Sequence, residues 1–223
     1  MQKYELKRKV EYVRRVHSQE TLKEIALNDE DPNVRRAAVE NIIDQEILKQ
    51  IALNDSNSDA RQAAIQNLTD QKVLKQIVLN EKNVFTGEVA VKQITDQEFL
   101  KHIALYGKGR NIRIKAIEKL NNQKVLRQIA LDDSDSDVRL AAVEKITNQK
   151  TLEKIALDDV RIYVRSGAIS KVEDENILVE IATKSTDESI AIEAIQKLPK
   201  DKIKEIKSNN WYINAICEEI LSE

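Results

Sequence analysis

One cysteine in 223 residues, Cys217, excludes an internal disulfide framework and any cysteine-rich metal centre. Alone near the end of the chain, it reads as a small buried hydrophobe rather than a reactive thiol. Four glycines and two prolines leave little material for flexible linkers, which argues for regular elements joined by tight turns. Aromatic residues are only 4% of the chain, so its cores are aliphatic. Neither charge sign dominates: 36 lysines and arginines face 38 acids, for a formal net charge of −2. The molecule as a whole is therefore not built as a polyanion binder. No stretch approaches the roughly 18 apolar residues of a membrane span. The opening MQKYELKRKVEYVRRV lacks the apolar core of a signal peptide. The expected setting is soluble, reducing and cytoplasmic, with no membrane partner.

What the chain does contain is repetition, with a period of 26 residues. Leu22, Leu48, Leu74, Leu100, Leu126, Leu152 and Leu178 share one phase. Isoleucines from Ile25 to Ile181 follow three residues later, and alanines from Ala38 to Ala194 hold a third phase. A fixed period of roughly 20–50 residues marks a solenoid, whose units bury their apolar faces only by stacking. Within the second unit, Ile47, Leu48, Ile51 and Ala52 form one helical stripe, and Ala60, Ala64, Ile65 and Leu68 form another. Cap formers precede both stripes in almost every unit, as in Asp44 and Asn57; at the second helix of the sixth unit only Arg161 breaks the rule. The expected fold is all-α: a right-handed α-solenoid of about eight two-helix repeats in one domain, 1–223. Residues 1–17 form an N-terminal cap helix, 18–199 seven repeats, and 200–223 a degenerate C-terminal capping repeat. Trp211 is expected to pack over the last core.

The phrase LNDEDPNVRRAAVENI and its echo LDDSDSDVRLAAVEKI share the pattern D-x-x-x-x-V-R-x-A-A-V. With that pattern the chain resembles the HEAT-like repeats of bacteria and archaea, from Ser18 to about Pro199. The resemblance implies the architecture and is nearly mute on activity. The units are shorter than usual HEAT repeats. Their length is also similar to that of the leucine-rich variant repeat, whose iron–sulfur cluster needs cysteines absent here.

An arginine recurs early in the second helices: Arg35, Arg61, Arg113, Arg139 and Arg165. An acid recurs in the preceding loops: Asp29, Asp55, Glu81, Asp133 and Asp159. A guanidinium presents fixed donors suited to bidentate carboxylate pairing, so the set reads as a structural ladder within and between repeats. The competing reading is a row of anion-binding arginines. Departures from the repeat mark a different surface. Gly87 replaces the arginine in the third unit, where Phe85 stands among otherwise polar residues. The fourth unit has Gly107 for the acid and adds Lys108 and Arg110. The position after the ladder arginine becomes Ile114, Leu140 and Ile192, with Tyr163 one turn before its sixth-unit counterpart. Phe85, Lys108, Arg110, Ile114, Leu140, Tyr163 and Ile192 are thus the candidate partner-binding residues, expected to be exposed by register. An apolar row flanked by basic groups suits an amphipathic or acidic protein segment.

No phosphate loop, nucleophile elbow or paired-histidine zinc motif occurs. The two histidines, His17 and His102, lie more than three repeats apart and share no site. The expectation is a non-enzymatic protein-binding scaffold with no catalytic residues, metal or cofactor. Nucleic-acid binding, through the basic N-terminal cap and the Lys108–Lys119 stretch, is the alternative.

Overall fold

A computed structural model describes residues 2–80 and 83–222 of the chain. Among them are 17 α-helices and no strands. The chain is an all-α solenoid of consecutive helix pairs. It divides into two compact units, residues 1–103 and 104–223.

In the first unit, α1 (Gln2–Val13) is followed by three pairs: α2 (Gln19–Asn28) with α3 (Pro32–Val39), α4 (Gln45–Asn54) with α5 (Ser58–Asn67), and α6 (Gln71–Asn80) with α7 (Val84–Gln93). Second helices also pack in a row, α1 on α3, α3 on α5 and α5 on α7. The division falls inside α8 (Gln97–Tyr106). The second unit continues with α9 (Arg110–Lys119), then the pairs α10 (Gln123–Asp132) with α11 (Ser136–Val143), α12 (Gln149–Asp158) with α13 (Ile162–Lys171) and α14 (Glu175–Lys184) with α15 (Glu188–Gln196). It closes with the one-turn α16 (Lys200–Ile203) against α17 (Trp211–Ser222). Its second-helix row runs α9, α11, α13, α15, α17.

Each of the seven full first helices has 10 residues, too few to persist alone in water. Burial of the periodic residues holds them. Every leucine of the Leu22–Leu178 phase and every alanine of the Ala38–Ala194 phase is buried. The small alanines sit where paired helices approach. Caps define the ends. Asp44 and Asp174 each accept two backbone N–H groups at the start of their helices, and Asp31 caps α3 with Pro32 at its first position. Gly109, at the N-cap of α9, has φ +88°, the left-handed region that favours glycine.

A row of glutamines, Gln19, Gln45, Gln71, Gln123 and Gln149, ties the other edge of the repeats. Gln45 Nε2 donates to the Asn67 carbonyl at 3.1 Å, and its Oε1 accepts from the Thr69 N–H at 2.9 Å. Gln149 does the same for Lys171 and Glu173. Each glutamine thereby satisfies an orphan carbonyl at the C-terminus of a second helix and an N–H of the following turn. The 26-residue recurrence of these glutamines is visible in the sequence and is not needed to find the helices, so the apolar pattern alone passes over it.

Candidate functional site

The arginine ladder crosses from one repeat to the next. Arg139 Nε and Nη2 donate to the two oxygens of Asp159 at 2.7 and 2.9 Å, while Nη1 donates to the Asp133 carbonyl at 2.9 Å. Arg113 pairs in the same way with Asp133, and Arg35 with Asp55. Arg35 also donates to the Asp29 and Glu30 carbonyls, and Arg61 to those of Asp55 and Ser56. The carboxylate partner therefore stands 20 residues ahead, in the next repeat, and the carbonyl partner in the arginine's own loop. Asp29 belongs to Lys9, one period before Arg35, at 2.7 Å. Arg165 turns to the N-cap Asp187, because Ser185 holds the acid position. In the sequence the same offset of 20 separates Gly87 from Gly107. Glu81 lies outside the described residues.

Burial alone would raise the Asp159 carboxyl. The Arg139 hydrogen bonds, the Arg161 N–H and the charges of Arg139 and Arg165 outweigh it and hold the group below the ordinary 3.8. Asp55 is lowered by the same balance, with Arg35 and the Asn57 N–H as partners. The Arg139 guanidinium is raised, first by its hydrogen bond to Asp159. Among the described residues these arginines donate to carboxylates and loop carbonyls, while the buried Nε of Arg165 has no hydrogen-bond partner.

The candidate partner-binding residues divide. Phe85 is exposed on α7 in the first unit. In the second unit, Lys108 and Arg110 are exposed, but Ile114, Leu140 and Ile192 are half-buried rather than exposed. The physical reason is inter-repeat packing. A Cβ built on Gly167 would fall 2.5 Å from Leu140 Cδ1, so the leucine fills the space that this glycine leaves on α13. Arg110 and Tyr163 meet on α11: Arg110 Nη1 donates to Asp137 Oδ2 at 2.8 Å, and the Tyr163 hydroxyl reaches Ser136 and, at 3.2 Å, Asp137 Oδ1. Trp211 does not pack over the last core. It is 77% exposed and meets the edge of Tyr212, with ring centroids 5.8 Å apart. As the first residue of α17, it projects from the stack while Ile213 and Cys217 take the buried positions.

Two second-helix starts in this unit lack a side-chain cap, those at Gly109 and Arg161. The turn beside Arg161 exposes Val160, Ile162 and Tyr163, with Val160 at 81%. Arg161 is exposed there too, and Lys108 is exposed in the loop before α9. Val160, Ile162 and Tyr163 belong to the sixth unit's VRIYVR, which replaces the usual acidic turn in the sequence, and of them only Tyr163 is among the candidate partner-binding residues.

Among the described residues, no group of three or more His, Cys, Asp and Glu side chains could hold a metal ion. No helix is long and apolar enough to cross a membrane. No family model matches the chain, and no curated protein matches it. Among solved structures it is similar to one described as a leucine-rich repeat variant with a novel repetitive protein structural motif. The TM-score is 0.69 at 17% identity, over 92% of this chain and 87% of that one. The likeness shows the fold: a repeating helical array, consistent with the HEAT-like resemblance.

Proposed function

We propose that the chain is a non-enzymatic scaffold that binds a protein or peptide segment through the loops and second-helix face of its second unit. Helical repeat folds of this kind commonly mediate protein interactions. One observation carries the reading. At α9 and α13 the repeat gives up the N-cap that its other second helices keep, and at α13 it exposes Val160, Ile162 and Tyr163 instead. A broken local rule beside an exposed apolar turn marks function more often than drift. Lys108 and Arg161 carry no ion pair among the described residues, so the segment is apolar with acidic flanks. Ile114, Leu140 and Ile192 form the half-buried floor, and Arg110 and Tyr163 are held in place by Asp137. Phe85 occupies on α7 the phase that Tyr163 occupies on α13, and is assigned the same chemistry within the first unit. No cofactor or catalytic group takes part.

The test is a pull-down comparing wild type with a Val160→Asp, Ile162→Asp double variant. Both positions are exposed, so the variant keeps its melting temperature and loses the captured protein. Equal recovery by the two proteins overturns the proposal. Capture of nucleic acid that is lost between about 50 and 200 mM salt replaces it with phosphate-backbone binding.

A further inference from the structure

The ladder acids share a local conformation as well as a register. Asp55, Asp133 and Asp159 each stand just past the C-terminus of a first helix, with φ between −62° and −66° and ψ between 135° and 137°. In each, Oδ1 accepts the N–H two residues on: that of Asn57 at 2.8 Å, and those of Asp135 and Arg161 at 2.9 Å. The second oxygen, Oδ2, accepts an arginine Nε, from Arg35, Arg113 and Arg139 in turn.

Ser185 holds the same place after α14. Its φ of −62° and ψ of 132° match the acids. Its Oγ accepts the Asp187 N–H at 3.1 Å, as Oδ1 does in the other turns. A serine has no second oxygen, and the effect shows on the arginine that faces this turn. Arg165 keeps its bond to the Asp159 carbonyl through Nη1 and turns Nη2 to Asp187 Oδ2. Its Nε is buried and has no hydrogen-bond partner among the described residues. A buried N–H without an acceptor destabilises the fold that holds it.

What completes this rung is an anionic oxygen placed beyond Oγ. A phosphoryl group on Oγ carries three acceptor oxygens, each two bonds from that atom, as Oδ2 is two bonds from Oδ1. Arginine pairs with such a group through its fork of parallel donors. The charge has a precedent in the array: Asp133 and Asp135 place two acids at the same two positions in the fifth repeat. Ser185 is half-buried in a loop whose neighbours, Lys184 and Thr186, are exposed. Asp187 and Glu188 follow it, an acidic flank that complements a kinase with a basic substrate groove.

We propose that Ser185 is a phosphorylation site, and that its phosphate accepts from Arg165 Nε as the ladder acids accept from their arginines. The modification ties the loop before α15 to α13 and makes that tie reversible. Oγ forms a bond to the γ-phosphorus of a nucleoside triphosphate, and the bond from that phosphorus to the β–γ bridging oxygen breaks. The nucleoside diphosphate leaves, and the hydroxyl proton passes to the general base of the protein kinase. The site stands independently of the partner surface at Val160 and Ile162.

Two measurements test it. Mass spectrometry of the protein isolated from the cells that make it finds phosphate on Ser185. The full chain synthesised with phosphoserine at this position melts about 2–4 °C above the unmodified chain, a shift expected for one added charged contact in a chain of this size. Amides of α14 and α15 exchange more slowly in the phosphorylated chain. Arg165→Lys keeps the charge but lacks the fork, and it removes the gain that phosphoserine brings. Native protein without phosphate on Ser185, or with phosphate on Thr186 alone, overturns the proposal. So does a phosphorylated chain that melts no higher than the unmodified one, or a gain that survives Arg165→Lys.

Discussion

Truncating Arg139 to alanine leaves the Asp159 carboxylate, only 7% exposed, without its bidentate partner. It also strips a donor from the Asp133 carbonyl. A charged hydrogen bond in such a place contributes about 1.5–3 kcal/mol, and Arg139→Ala should lose that much in chemical denaturation. The surface pair Lys101–Glu98, with side chains 39% and 80% exposed, should contribute under about 0.5 kcal/mol. Double-mutant cycles resolve the partners. Arg139 should couple to Asp159 by more than about 1 kcal/mol and to the Asp133 side chain by less than about 0.5 kcal/mol. A stronger coupling to Asp133 would mean that the ladder runs within repeats. The same carboxylates set an acid limit. Asp55 and Asp159 titrate lower folded than unfolded. As pH falls, the unfolded chain takes up their protons first, so their stabilisation is complete above the ordinary carboxylate range and drains away below about pH 4. Melting temperature measured down to about pH 2.5 should drop steeply, and Asp159→Asn should flatten the drop.

A single helix depends on its core residue and its cap in different ways. Leu126 in α10 is fully buried between neighbours, and Leu126→Ala should cost about 2–5 kcal/mol by opening a cavity. A loss below about 0.5 kcal/mol would contradict its place in the core. The cap of α13 should respond in the other direction. Arg161 stands at the N-cap with extended backbone, φ −108° and ψ 121°, and its side chain accepts no N–H of the first turn. Arg161→Asp supplies the acceptor that Asp135 and Asp187 supply elsewhere. It should stabilise the protein by about 0.5–2 kcal/mol while weakening capture of an acidic segment. Stabilisation without any loss of binding would detach that turn from the proposed site.

Within each unit, packing is between sequence neighbours, because each helix pair rests on adjacent pairs. Stability in such an array is a sum of local terms, so protection from amide exchange should vary along each unit rather than be uniform. In the second unit, amides of α10 to α13 should exchange slowest. Those of α16 and α17, where the first helix is one turn long, should exchange fastest. Uniform protection throughout the unit would instead mean one cooperative block.

The 26-residue period, its two apolar stripes and its cap residues determined the fold without help from tertiary structure. Each is a local property repeated, and stacking follows because short amphipathic helices have no other way to bury a face. The pairing of the ladder was only half legible. Sequence shows that arginine and acid recur together, but whether Arg139 reaches back to Asp133 or forward to Asp159 depends on which loop the neighbouring repeat brings alongside. The burial of Leu140 was decided by Gly167, 27 residues later, and no helical wheel drawn on α11 contains that residue. Trp211 was misplaced for the opposite reason. A large aromatic residue reads as core by composition, yet its burial requires a neighbouring surface, and at the start of α17 the fold places none.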